Sequence, residues 1–491
     1  MKKVLAVLGA ALGIIVVIVL VRTFTFTSRQ VAVEPVGGVT VDTLTAAAHL
    51  SKALTFRTIS YQDPARFDPK PFRAFNRFLE ETYPVVHQTL KREVVNNYSL
   101  LYTWAGDNPD LKPIILLAHS DVVPVDPETV TDWTQPPFSG AITDGYIWGR
   151  GAMDDKASLL GLLEAVGQLI SHGFRPQRTV ILAFGHDEEI GGQDGALQIV
   201  RLLQSRDVQA EYVLDEGLVI THGIAPGLEA PVAMIGIAEK GYLTVELSVE
   251  SEGGHSSMPP SSTGVGILSR AVTRLEVNQR PATLRGPVKQ MFDVIGPEMP
   301  FFMRMAFANL WLFAPLVKAQ LAAAPTTNAM IRTTTAATMA SGSLKENILP
   351  SRANMVVNFR LLPGETSEMI LEHVRRTIDD RRVMIKQLGF HDEPSAVAGI
   401  EAPGYQALEH TIRELFPEVI VAPSLVVGAT DSRHYRGLSP NTYRFIPTRV
   451  SLEDMQRIHG TDEHMGVENF ADIIRFYVRL IENTASFIES N

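Results

Sequence analysis

Apolar residues in this chain come in three textures, and each predicts a different kind of element. The first is continuous. Pro113-Ile114-Ile115-Leu116-Leu117-Ala118, Val180-Ile181-Leu182-Ala183-Phe184 and Tyr212-Val213-Leu214 are unbroken by charge, as strands buried on both faces are. The second has helical spacing. Leu159, Leu160, Leu162, Leu163, Val166 and Leu169 predict a helix that stops near Gly173, and Ile370, Leu371, Val374 and Ile378 predict another. Val41 to Phe56, Arg73 to Glu81 and Phe470 to Ile488 are also read as helices. The third texture alternates: Gly241 to Val249 reads as a strand with one wet face, and Met355 to Phe359 as a second. Tyr98 to Trp104, Val419 to Pro423 and Thr442 to Phe445 complete the predicted strands.

Buried strands interleaved with helices point to an open α/β sheet, in which ligands sit beyond the carboxyl ends of the strands. Four turns in that position are rich in acids and histidine: Ala118-His119-Ser120-Asp121, Gly151-Ala152-Met153-Asp154-Asp155-Lys156, Gly185-His186-Asp187-Glu188-Glu189 and Leu214-Asp215-Glu216-Gly217. Taken singly each is ordinary, since adjacent acids usually face solvent and a histidine after a strand is usually a loop residue. Their succession is not. One histidine, one carboxylate suited to bridging, a double glutamate and a further acid are the donors of a two-metal hydrolytic centre.

Met1-Lys2-Lys3 precedes an uncharged apolar run from Val4 to Val21, closed by Arg22. A bilayer-spanning helix takes roughly 20 such residues, and a cleavable signal core is shorter. No small-x-small cleavage site follows, so residues 1–30 are read as a retained transmembrane anchor, with the lysines cytoplasmic and the rest on the extracytoplasmic side. Gln30 to Gly38 reads as a linker. The 491 residues, 45% hydrophobic, leave room for two or three domains. A net charge of -10 without a Lys/Arg run excludes nucleic acid as a partner, and the absence of cysteine excludes disulfides, thiolate ligands and a Cys nucleophile.

As a series these motifs resemble the zinc peptidases that include aminoacylase, acetylornithine deacetylase, succinyl-diaminopimelate desuccinylase and glutamate carboxypeptidase. Within that family the chain is most similar to the carboxypeptidase S branch and the mammalian N-acyl-amino-acid synthase/hydrolases, from about Val41 to the C-terminus. Trp133 to Gly140 resembles the family's Trp-x-x-x-Pro-Phe-x-Gly loop. The resemblance implies metal ligands at His119, Asp154, Glu189, one acid of the Asp215-Glu216 pair (Asp215 by the carboxypeptidase S pattern) and His459, with Asp121 and Glu188 as the catalytic pair. It also implies a two-domain metallopeptidase. A mixed-sheet, helix-flanked catalytic domain (residues 40–238 and 396–491) would carry an inserted α+β lid and dimerisation domain (239–395). His255, Asn347 and Arg360 of the lid resemble residues that bind substrate, the histidine by reaching into a partner subunit of a homodimer.

Hydrolysing an amide near neutral pH needs a nucleophile stronger than water, which two divalent ions sharing a water supply. Asp154 suits the bridge, leaving His119 with the Asp215/Glu216 acid on one side and Glu189 with His459 on the other. Imidazole and carboxylate without thiolate favour two Zn²⁺, with Co²⁺ or Mn²⁺ as substitutes. Asp121 would orient His119, and Glu188, free beside a ligand, would be the general base. His434 and His464 are set aside as structural. The expected activity is amide hydrolysis of a small-molecule substrate, an N-acyl amino acid or a short peptide with a free C-terminal carboxylate. A non-catalytic, membrane-anchored binding protein is the competing class, and an unligated Glu188 beside a ligand speaks against it. Met299 to Pro325, rich in Phe, Met, Leu and Trp, is read as a buried lid helix pair, or else as an apolar wall for an acyl chain or a surface touching the bilayer.

Overall fold

The computed structural model describes residues 1–223, 227–451 and 453–486. Its first six long strands are β1 (Lys91–Val95), β2 (Ser99–Trp104), β3 (Ile114–His119), β4 (Val180–Gly185), β5 (Tyr212–Thr221) and β6 (Val232–Glu239). The next four, β7 (Gly241–Glu250), β8 (Thr334–Ser341), β9 (Arg352–Leu361) and β10 (Met384–Asp392), leave that sheet and form another. β11 (Ile420–Val426) and β12 (Thr442–Val450) then return to the first. The large sheet is mixed, in the order β1-β2-β4-β3-β5-β12-β6-β11, and the smaller one is antiparallel, in the order β8-β9-β7-β10. β3 and β4 are buried at every position, as their unbroken apolar runs require, and pair in parallel with His119 opposite Gly185. In β7 buried and half-buried residues alternate, because only one face of the small sheet is covered.

The helices follow the predicted spacings. α1 (Lys2–Phe24) contains the whole N-terminal apolar run, and α2 (Lys156–Ser171) begins directly after Asp155. α3 (Gly264–Val277) covers the small sheet, α4 (Phe301–Ala308) and α5 (Leu310–Ala322) come from the apolar Met299 to Pro325 stretch, and α6 (Ser367–Ile378) joins α3. α7 (Val467–Ala485) packs on α2. The expected last helix reaches to Ile488, beyond the described residues.

Two expectations change. The strand bearing Asp215 and Glu216 does not end there but continues to Thr221 through a bulge. Asp215 pairs with Arg444 and Leu218 with Phe445, so Glu216 and Gly217 are left out of the ladder. Gly217 has φ +144°, and a β-carbon on it would lie 2.7 Å from that of Arg444. Secondly, the segment expected to be lid is not packed as one body. Val288, Met291, Phe292 and Ile331 share a core with Val232, Ile420 and Ala422 of the large sheet's edge, while Leu243, Val245, Phe359 and Ile370 form a separate core beneath the small sheet. Nor are α4 and α5 a buried pair: Phe302, Trp311, Leu312 and Leu316 are exposed.

Gly161 sits where α2 crosses α7, and a β-carbon there would meet Ile473 Cγ2, on a fully buried side chain, at 2.5 Å. Gly161→Ala therefore sets a helix-propensity gain of about 1 kcal/mol against overpacking of about 1–3 kcal/mol. The expected outcome is a lower urea midpoint with unchanged m-value, and a raised midpoint would show that the helices have room to part.

Candidate metal centre

Each chemical side chain is delivered by a local feature of the sheet. His119 is the last residue of β3 and is buried. Asp154 comes from the turn before α2, Glu188 and Glu189 from a short 3₁₀ turn after β4, and Glu216 from the bulge in β5. His459 comes from a distant loop, with a left-handed backbone at φ +62°.

These side chains meet as two groups that share one carboxylate. Asp154 Oδ1 lies 2.9 Å from His119 Nε2, which is 3.3 Å from Glu216 Oε1. Asp154 Oδ2 lies 3.0 Å from His459 Nε2, which is 3.1 Å from Glu189 Oε2. In each group the three donor atoms lie within 4.8 Å of one another, close enough to hold one cation. The sequence expectation named Asp215 beside His119. The residue found there is Glu216, because the two neighbours leave the strand in opposite directions and the bulge turns the second toward the histidine. Asp215 instead accepts the backbone N–H of Ser432 at 2.7 Å and that of Glu216 at 3.0 Å.

Electrostatics argue that this pocket is built for positive charge. Burial first, and then Asp154, push the Glu216 carboxyl well above its usual range. Burial does the same to Glu188, with Glu216, Asp431 and Glu189 adding to it against the pull of His119. Hydrogen bonds to Asp154 and Glu189 push His459 up to about 10, so an imidazolium supplies charge where a cation would otherwise neutralise the acids. Oxygen and imidazole donors in two three-residue groups, each with coordination positions to spare, fit a pair of divalent cations.

Asp121 is fully buried and has two tasks. Its Oδ1 is 3.3 Å from His119 Nδ1, and its two oxygens accept the N–H groups of Glu188 at 3.1 Å and Glu189 at 3.2 Å. It thus orients the histidine and holds the glutamate turn. Glu188 belongs to neither three-residue group. His255 is exposed on a short strand, Gly254–His255, that pairs with Ile348–Leu349 beside Asn347, and it hydrogen-bonds Ser257. Arg360 stacks over the Tyr242 ring at 4.7 Å. None of these three is in either group within one chain. His434 donates from Nε2 to the Gly191 carbonyl at 3.0 Å, and His464 is packed between Tyr146 and Trp148.

Sequence reasoning missed the clamp that brings the two halves of the centre together. Arg150 and Glu463, 3% and 0% exposed, form an ion pair at 2.6 Å. Glu463 Oε1 accepts the N–H groups of Met153 and Asp154 at 2.8 and 3.2 Å, while Arg150 donates to the carbonyls of His459 and Gly460 at 3.0 and 2.8 Å. The available signal was Glu463 closing the His459-Gly460-Thr461-Asp462-Glu463 run and Arg150 between two glycines. Arg150→Met should strand a buried carboxylate and cost about 3–5 kcal/mol in stability. The double variant Arg150→Met/Glu463→Gln should recover part of that loss in chemical denaturation, and strict additivity would mean that the pair is not coupled.

The model of peptidase family M20/M25/M40 matches residues 115–483. Probable carboxypeptidase S-like 2 of Dictyostelium discoideum is 42% identical over 487 residues, 97% of this chain and 93% of that protein. The N-fatty-acyl-amino acid synthase/hydrolase of Mus musculus is 41% identical over 84% of this chain and 83% of its own. Carboxypeptidase S of Saccharomyces cerevisiae is 32% identical over 85% and 79%. Among solved structures, the M20 family metallo-carboxypeptidase Sso-CP2 of Sulfolobus solfataricus superposes with a TM-score of 0.65 at 18% identity, over 91% of this chain and all of that one, and so shares the fold. A family match through most of the chain, joined to relatives alike along nearly their full lengths, makes this chain a metal-dependent hydrolytic enzyme of peptidase family M20/M25/M40.

Proposed function

We propose that the enzyme hydrolyses the amide bond of N-acyl amino acids, or of short peptides with a free C-terminal carboxylate, at two zinc ions. His119 and Glu216 would hold one ion, Glu189 and His459 the other, and Asp154 would bridge them. The observation that carries this reading is the division of Asp154, one oxygen toward each histidine. When bound, such a pair of ions acidifies water enough to furnish hydroxide near neutral pH.

The protein's own groups do the rest. Glu188 takes the proton of the attacking water and returns it to the leaving amine; its raised affinity for a proton, from burial and neighbouring acids, suits both halves of that task. Asp121 keeps His119 in one tautomer, with Nε2 directed at Asp154 and Glu216. Arg360, stacked over the Tyr242 ring, is the anchor for the substrate carboxylate. Asn347, next to the strand that pairs with Gly254–His255, assists it by donating from its side-chain amide N–H. We read the small-sheet unit as the lid, and His255, exposed on it, as the residue that holds the oxyanion across a homodimer. α1 is read as a membrane anchor that leaves the enzyme extracytoplasmic. The relatives named for fatty-acyl amino acids, together with the apolar α4 and α5, favour acylated substrates over dipeptides.

Elemental analysis of the purified enzyme should find two zinc equivalents per chain, falling toward one in Glu216→Ala and staying at two in Glu188→Gln. Glu188→Gln should lower kcat by about 10²–10⁴-fold on whichever substrate a screen of N-fatty-acyl amino acids against Gly-X dipeptides selects. Full hydrolysis by that variant would remove Glu188 as the base.

A further inference from the structure

The N-terminal helix is fastened to the body of the enzyme near its C-terminal end. Val19 and Thr23, the two buried residues of α1, lie against the elbow between α4 and α5. Asn309, fully buried at that elbow, donates from Nδ2 to the Val19 carbonyl at 3.1 Å and lies 3.3 Å from the Thr23 hydroxyl. Arg22 donates to the Ala308 carbonyl at 3.1 Å, and the Phe24 ring is 6.0 Å from that of Phe301. Just beyond, Gln30 pairs with both backbone groups of Val421 on the large sheet's edge strand, at 3.0 and 2.8 Å. The connection is therefore braced at two points.

The elbow's outer surface is the reverse of what water selects. Phe302 is 76% exposed, Leu316 66% and Trp311 53%. Arg304 and Lys318, the only charges between Phe301 and Ala322, turn inward to the carbonyls of Met299 and Ala282. The two helices meet at 115°. At about 1.5 Å per residue they are about 12 and 20 Å long, too short to cross a hydrocarbon core of about 30 Å. α1 from Val4 to Val21 covers about 27 Å, and the residues that grip the elbow are at its exit end. Exposed apolar surface, continuous with a membrane-length helix and held at the depth of its last turns, has one matching environment.

We propose that the α4–α5 elbow is immersed in the outer leaflet of the bilayer that α1 crosses, with lipid as its partner. The catalytic body is then seated on the membrane at a set height instead of hanging from a tether. The proposal rests on the reading of α1 as a retained anchor.

The test uses the full chain reconstituted in phosphatidylcholine vesicles, with and without bromine on the acyl chains, and compares wild-type emission with that of Trp311→Phe. Of the four tryptophans, Trp104 and Trp133 are buried, so the difference between the two proteins reports position 311. Brominated chains should abolish that difference, and aqueous iodide should leave it intact. Quenching by iodide and not by bromolipid would overturn the proposal, because water would then cover the elbow. Release of the protein by alkaline carbonate would instead show that α1 is no anchor and would remove the proposal's foundation. Retention of the protein together with an unquenched Trp311 would reject the seating alone.

Discussion

One carboxylate faces two ways. Asp154 presents an oxygen to His119 and Glu216 on one side and an oxygen to His459 and Glu189 on the other, and the rest of the site is arranged to make that division hold. Four acids and two histidines are crowded where burial disfavours every negative charge. Such a crowd is unstable unless compensated. In the protein alone the imidazoles carry the compensation, and the same geometry suits divalent cations.

Two devices hold the crowd in register. The bulge in β5 takes Glu216 and Gly217 out of the ladder, so that the strand can serve the sheet with Asp215 and the site with Glu216. The Arg150–Glu463 pair binds the backbone of the Asp154 turn to the backbone of the His459 loop, across more than 300 residues of chain. The ion pair takes no part in the proposed chemistry, and the bulge serves it only by aiming Glu216. Both decide whether the donors converge, since a shift of about 1 Å in a metal ligand changes what it can hold.

The apolar segment after Met299 belongs to a different part of the design. It packs with the edge of the large sheet on one side and grips α1 on the other, so the membrane-length helix and the catalytic sheet are joined through side-chain contacts as well as through the linker. Its outward residues remain uncovered by the chain. In the proposed seating, such a surface would bring the enzyme to the medium that long acyl chains favour.

Much was legible without coordinates. Unbroken apolar runs specify β3 and β4, since only strands covered on both faces can dispense with polar residues, and heptad-like spacing specifies α2 and α6. Acids and a histidine at the ends of those elements announce a site, because the sheet's connectivity sends such ends to one edge. What one-dimensional order leaves open is which of two adjacent residues faces inward, and what a distant residue touches. Asp215 and Glu216 are equivalent as letters, and a bulge settled between them only once β12 lay alongside β5. The pairing of Arg150 with Glu463 and the grip of Asn309 on Val19 are contacts between remote segments, and no local periodicity encodes them. Nor did periodicity reveal that the apolar helices after Met299 face outward: composition says how much apolar surface a segment has, and only packing against neighbours decides how much of it is covered.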